Sequence, residues 1–161
     1  MDIVCVGAIY IDTILAVPQF PVEDQKFRAS KRTRRRGGNC GNTLEVLSQL
    51  TRRLRIRQPQ LLLIAVLPAP NSPDTRLIRS SLPNVGLDSG CIYRSNIQEA
   101  ASSYIIQNSE NNSRTIVSIN ELAEMELSEF KRKFSEITLS KKYRKAWYHF
   151  EVFTNTPSLW S

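Results

Sequence analysis

The sequence has no run of eighteen apolar residues, and its apolar start, Ile3 to Ile9, lacks a basic leader and soon meets Asp12. Neither a membrane-spanning helix nor a signal peptide is expected, so the chain reads as soluble and cytoplasmic. Cysteine is scarce. Cys5, Cys40 and Cys91 are odd in number and unrelated in spacing, which argues against a disulfide framework and against a zinc site. No internal repeat or low-complexity segment stands out, and there is no Gly-X-Gly-Asp segment or Walker-type phosphate loop. Glycine is limited to 6 residues in 161, yet Gly37, Gly38 and Gly41 stand almost together.

What is there suffices for one domain. Apolar residues make up 41% of the chain, enough for a core, and a charged fraction of 23% is too low for overall disorder. The formal net charge is +7, and five basic residues crowd into Lys31-Arg32-Thr33-Arg34-Arg35-Arg36. Such a run could bind nucleic acid. It lacks interleaved aromatics and a recognition helix, so nucleic acid is an unlikely partner and an exposed, solvated strand is expected instead.

Taken in order, Ile3 to Val6 is a short continuous apolar run ending at Gly7, the pattern of a parallel strand buried on both faces. Asp12 lies just beyond it, where open α/β sheets hold ligands. Lys26 to Ser30 alternates polar and apolar and predicts an extended strand. Thr43 to Arg53 reads as a helix with Leu44, Leu47, Leu50 and Leu54 on one stripe. Gln60 to Leu67 reads as a second parallel strand, Asp74 to Leu82 as a short helix, and Cys91 to Arg94 as a short extended run. Ala101 to Gln107 and Arg114 to Ile119 predict a hairpin, Ser128 to Ser135 a helix, and Ala146 to Phe150 a last strand. The order implies an α/β fold with a parallel sheet.

Arg36-Gly37-Gly38-Asn39-Cys40-Gly41-Asn42 is the stretch with chemistry in it. Bare glycine backbone lets a small ligand approach closely, the following helix start offers unpaired N–H groups, and Asn39 and Asn42 add amides that donate and accept. The reading is a seat for a small polar or anionic molecule. The alternative is an empty strand-to-helix turn.

The series of segments resembles the ribokinase/PfkB family of carbohydrate kinases, and within it most closely the ketohexokinase branch. Six segments carry the resemblance, from residue 3 to 151: Val4-Cys5-Val6-Gly7 with Asp12; Pro21-Val22-Glu23-Asp24; Arg36 to Asn42; Pro83-Asn84-Val85-Gly86-Leu87-Asp88; Asn112-Ser113-Arg114-Thr115-Ile116-Val117; and Trp147-Tyr148-His149-Phe150-Glu151. The resemblance implies a ribokinase-like, Rossmann-type three-layer sandwich with a small β-strand lid at about residues 12–36. It implies sugar binding by Asp12, Asp24, Gly38, Asn39 and Asn42, with Arg114 and Glu151 toward the phosphate side. ATP with Mg, a sugar substrate such as fructose, and a homodimer through the lid are further implications.

The departures are equally definite. The family's second signature, whose glycines hold the transferring phosphate and whose aspartate is the base, has no counterpart in this chain, so no catalytic residue is assigned. Residues 152–161 carry no pattern, and a truncated reading frame or retained intron is the expectation there. The chain is therefore read as the N-terminal part of an ATP-dependent sugar kinase, inactive alone. The alternative is a non-catalytic sugar-binding or dimerising module.

Overall fold

The computed structural model describes residues 1–53, 58–140 and 145–151. Its body is a parallel sheet of four strands in the order β10-β1-β4-β6, formed by β1 (Asp2–Val6), β4 (Leu61–Ile64), β6 (Val85–Gly86) and β10 (Ala146–Phe150). Continuous apolar sequence makes β1 and β4 because both faces are covered. Cys5, Leu61 and Leu63 pack with Cys40 and Leu44 of α1 (Asn39–Arg52) and Ile78 of α2 (Pro73–Ser81). Val4, Val6, Leu62 and Ile64 pack instead with Ile137 and Phe130 of α3 (Leu127–Leu139). This is the expected three-layer arrangement. After one residue, β4 is followed by β5 (Val66–Pro68), which pairs in parallel with β7 (Ile92–Arg94).

A second four-stranded sheet, in the order β3-β2-β8-β9, contains the strands expected as a lid and is called the lid sheet below. Its strands are β2 (Tyr10–Val17), β3 (Lys31–Gly37), β8 (Ser102–Asn108) and β9 (Arg114–Ile119). The expected hairpin is β8 and β9, antiparallel with Gln107 opposite Arg114.

Three expectations need correction. Lys26 to Ser30 is not a strand; the basic run itself pairs with β2, from Ala16 opposite Lys31 to Tyr10 opposite Gly37. Helix α1 starts four residues before Thr43, because Gly38 takes φ 87° and its carbonyl accepts the Asn42 N–H at 3.0 Å. A positive φ is easy only for glycine. The leucine stripe also ends early: Leu44 is sealed but Leu50 is 56% exposed. Leu54 and the tail 152–161 lie outside the described residues. All three cysteines are free and buried, and no described helix is long and apolar enough to cross a membrane.

Candidate functional site

The carboxyl ends of β1, β4 and β10 meet the base of the lid. There a cavity of about 460 Å³ is lined by Gly7 to Tyr10, Val66, Ala101, Asn120, Leu122 to Met125, and Glu151. Parallel strand ends are where α/β sheets hold ligands, and the small residues Gly7, Ala8 and Ala101 leave the room.

Glu151 follows β10 and is anchored when its N–H donates to Val6 O at 2.9 Å. Its Oε2 accepts the Cys40 N–H at 3.3 Å, so a carboxylate of the chain itself sits at the start of α1. This changes the reading of that helix start as an anion seat: negative charge is favoured there, and Glu151 already supplies it. Its Oε1 is buried with no hydrogen-bond partner among the described residues. A buried acceptor left unpaired costs free energy that a donor from a ligand would recover. Burial, reinforced by the Glu151 carboxylate, pushes the Cys40 thiol well up, and the same two causes raise Cys5 to about 11. Both thiols are held neutral and unreactive.

The glycines of the motif make room for the chain's own atoms. A Cβ on Gly37 would overlap the Asp12 carboxylate, and one on Gly41 would overlap the Arg36 guanidinium. Gly38 lies against Ala8 O, where a Cβ would come within 2.7 Å. Asp12 is thereby tucked against the strand-to-helix corner, with Arg35 Nε 3.8 Å from its Oδ2.

Of the seven residues singled out in the sequence, Glu151 lines the cavity, and Gly38 touches the Ala8–Tyr10 segment that also lines it. Asp12 and Asn42 stand around the same corner, and Asn39 is exposed on the first turn of α1. Asp24 and Arg114 are not brought to this corner. Asp24 sits at φ 59° in an exposed turn of the loop joining the far ends of β2 and β3. Arg114 is opposite Gln107, which is beside Ala16, six positions along β2 from Tyr10 and so roughly 20 Å away.

The sequence reading missed Arg36. It took the basic run as uniformly solvated, but Arg36 is 7% exposed and bound to Asn42 and Glu45, while Arg34 Nη2 reaches the buried Asp74 at 2.5 Å. A period-2 reading of the run was the available signal, because residues 32, 34 and 36 share one face of a strand.

No phosphate cradle remains among the described residues, since the motif glycines back onto the chain's own atoms and Arg114 is remote. Nor does any described group of three or more His, Cys, Asp or Glu residues converge as metal ligands. The described residues therefore form no complete site for ATP with Mg by themselves.

Among solved structures, the chain is similar to ribokinase from Thermotoga maritima, at TM-score 0.59 and 16% identity over 73% of this chain and 36% of that one. The fold is ribokinase-like. A ribokinase from Arabidopsis thaliana complexed with ribose and ATP superposes at TM-score 0.58 and 17% identity, over 73% of this chain and 35% of that one. For 2-dehydro-3-deoxygluconokinase from Thermotoga maritima the values are 0.61 and 19%, over 93% and 40%. No family model matches the sequence, and no curated protein matches it. The chain thus spans well under half the length of these ribokinase-like neighbours.

Proposed function

We propose that the chain forms the sugar-holding side of an ATP-dependent carbohydrate kinase of the ketohexokinase type, taking fructose or a related sugar. The observation that carries this reading is the unpartnered Glu151 Oε1, buried beside the cavity at the carboxyl ends of the parallel strands. Sugar hydroxyls both donate and accept, so they can satisfy such a carboxylate while accepting from amides. In this reading Asp12, Gly38, Asn39 and Asn42 supply further contacts from the strand-to-helix corner, and Glu151 serves the sugar rather than the phosphate. Asp24 and Arg114 act from the lid and need its sheet to bend over the cavity.

The chain as given has no Gly-X-Gly-Asp segment to hold a transferring phosphate or to supply a base. ATP with Mg therefore belongs to this proposal only through the kinase as a whole, and the 161-residue chain alone is expected to bind and not to transfer. A homodimer through the lid is part of the same proposal, supported by Ile116, Val117 and Ile119 standing 47%, 66% and 50% exposed on its outer strand. Calorimetric titration with fructose and with ribose tests the reading. Saturable binding with no sugar phosphate formed on adding ATP and Mg is expected; a folded chain that binds neither sugar overturns it.

A further inference from the structure

We infer that Arg36 is a positioning residue that locks the Asn42 amide in one orientation, with its Nδ2 donors presented to the ligand. The Arg36 side chain is 4% exposed, and its Nη1 donates to Asn42 Oδ1 at 3.0 Å while its Nη2 pairs with Glu45. The guanidinium lies over Gly41, where any side chain would displace it. A guanidinium has donors and no acceptor, so the Asn42 atom facing it is the oxygen and the amide cannot be reversed. The first turn of α1 fixes the other end, because the Asn42 N–H donates to Gly38 O at 3.0 Å. Two anchors leave the Nδ2 hydrogens of Asn42 without a partner among the described residues, at an exposed position of the strand-to-helix corner.

A freely turning amide would accept from a hydroxyl as readily as donate to it. The locked amide turns Oδ1 toward Arg36 and presents its Nδ2 hydrogens on the other side, so it favours a ligand oxygen with an available lone pair at that position, such as a hydroxyl whose own proton is given to a carboxylate. Arg36 thus reaches the ligand through Asn42 without touching it. The ligand half of this inference rests on the sugar-site reading above; the locking itself does not.

Nitrogen-15 relaxation of the Asn42 side-chain amide, measured on the ligand-free chain, tests the locking. The wild-type Asn42 NH₂ is expected to be as restrained as the α1 backbone, and Arg36→Lys is expected to lower its heteronuclear NOE to that of an exposed asparagine such as Asn71. An Asn42 amide that is mobile in the wild type, or unchanged in Arg36→Lys, overturns the inference. If Arg36→Lys does not fold, the wild-type value decides. Asn42→Asp tests the donor role separately, because a carboxylate keeps the Arg36 contact and loses both N–H groups. Its melting temperature is expected to hold or rise while sugar affinity falls about tenfold, the scale of one lost hydrogen bond. Undiminished affinity in Asn42→Asp contradicts donor selection, whereas a wild type that binds no sugar contradicts only the sugar-site reading.

Discussion

In the body sheet, Leu62, Leu63 and Ile64 are fully sealed, with helices over both faces. In the lid sheet, Tyr104, Ile116, Val117 and Ile119 are about as exposed as they are covered, and the strand nearest the body is mostly arginine. The lid is tied down where it crosses back to the body. Arg36 pairs with Glu45 of α1, and Arg34 pairs with Asp74 of α2, whose Oδ2 also takes the Ala100 N–H at 2.9 Å just before β8. Where β9 leads back to α3, Arg94 of β7 donates to the carbonyls of Ala123 and Glu124, and it also grips Glu129 of α3 with two nitrogens, at 2.6 and 2.8 Å, a charge pair that belongs to the body. Burial is insensitive to salt and pH, while charge pairing is not. The attachment of the lid sheet should therefore respond to salt more than the sealed core of the body sheet does.

Leu63→Ala strikes the body and carries the largest expected effect. Removing a sealed side chain beneath two helices is expected to cost about 3 kcal/mol of unfolding free energy, read from urea denaturation. Asp74→Ala strikes the lid, leaving Arg34 and the Ala100 N–H without their carboxylate. A loss of about 2 kcal/mol is expected, with faster hydrogen exchange in β3 and β8 than in β1 and β4. Equal acceleration in both sheets would remove the distinction between them.

Acid gives the mildest test, and it strikes a charge pair of the body. The Arg94 guanidinium, helped by the Glu126 N–H, holds the Glu129 carboxyl down at about 2 against an ordinary 4.5. A carboxyl depressed by folding contributes stability that is complete above about 4.5 and lost as pH falls toward 2. Substituting Glu129→Gln is expected to flatten the stability profile in that window and leave it unchanged at neutral pH apart from a constant offset.

The body was legible in the sequence because its signal is local. A run such as Leu61 to Ile64 is apolar at every position for the reason that both of its faces are buried. The lid was legible only in outline. Lys26 to Ser30 has the alternation of a strand but no partner, while Lys31 to Gly37 is a strand because β2 lies beside it and Asp74 and Glu45 meet its arginines. Those acids are 40 and 9 residues away along the chain from Arg34 and Arg36, beyond the reach of a local pattern. The site divides the same way. Glu151 lines the cavity and Gly38 lies behind its Ala8–Tyr10 wall, both readable as sequence signals, while Arg36 is hidden among neighbouring charges. The motif glycines looked like room for a ligand, yet the space they leave is filled by Asp12 and Arg36.

The most direct measurement is the titration of wild type and Glu151→Ala with fructose and ribose, alongside the melting temperature of each. The account predicts saturable binding to the wild type and at least a tenfold loss in Glu151→Ala, about what a hydrogen bond to a charged group contributes. Equal sugar affinity in a folded Glu151→Ala variant would contradict it.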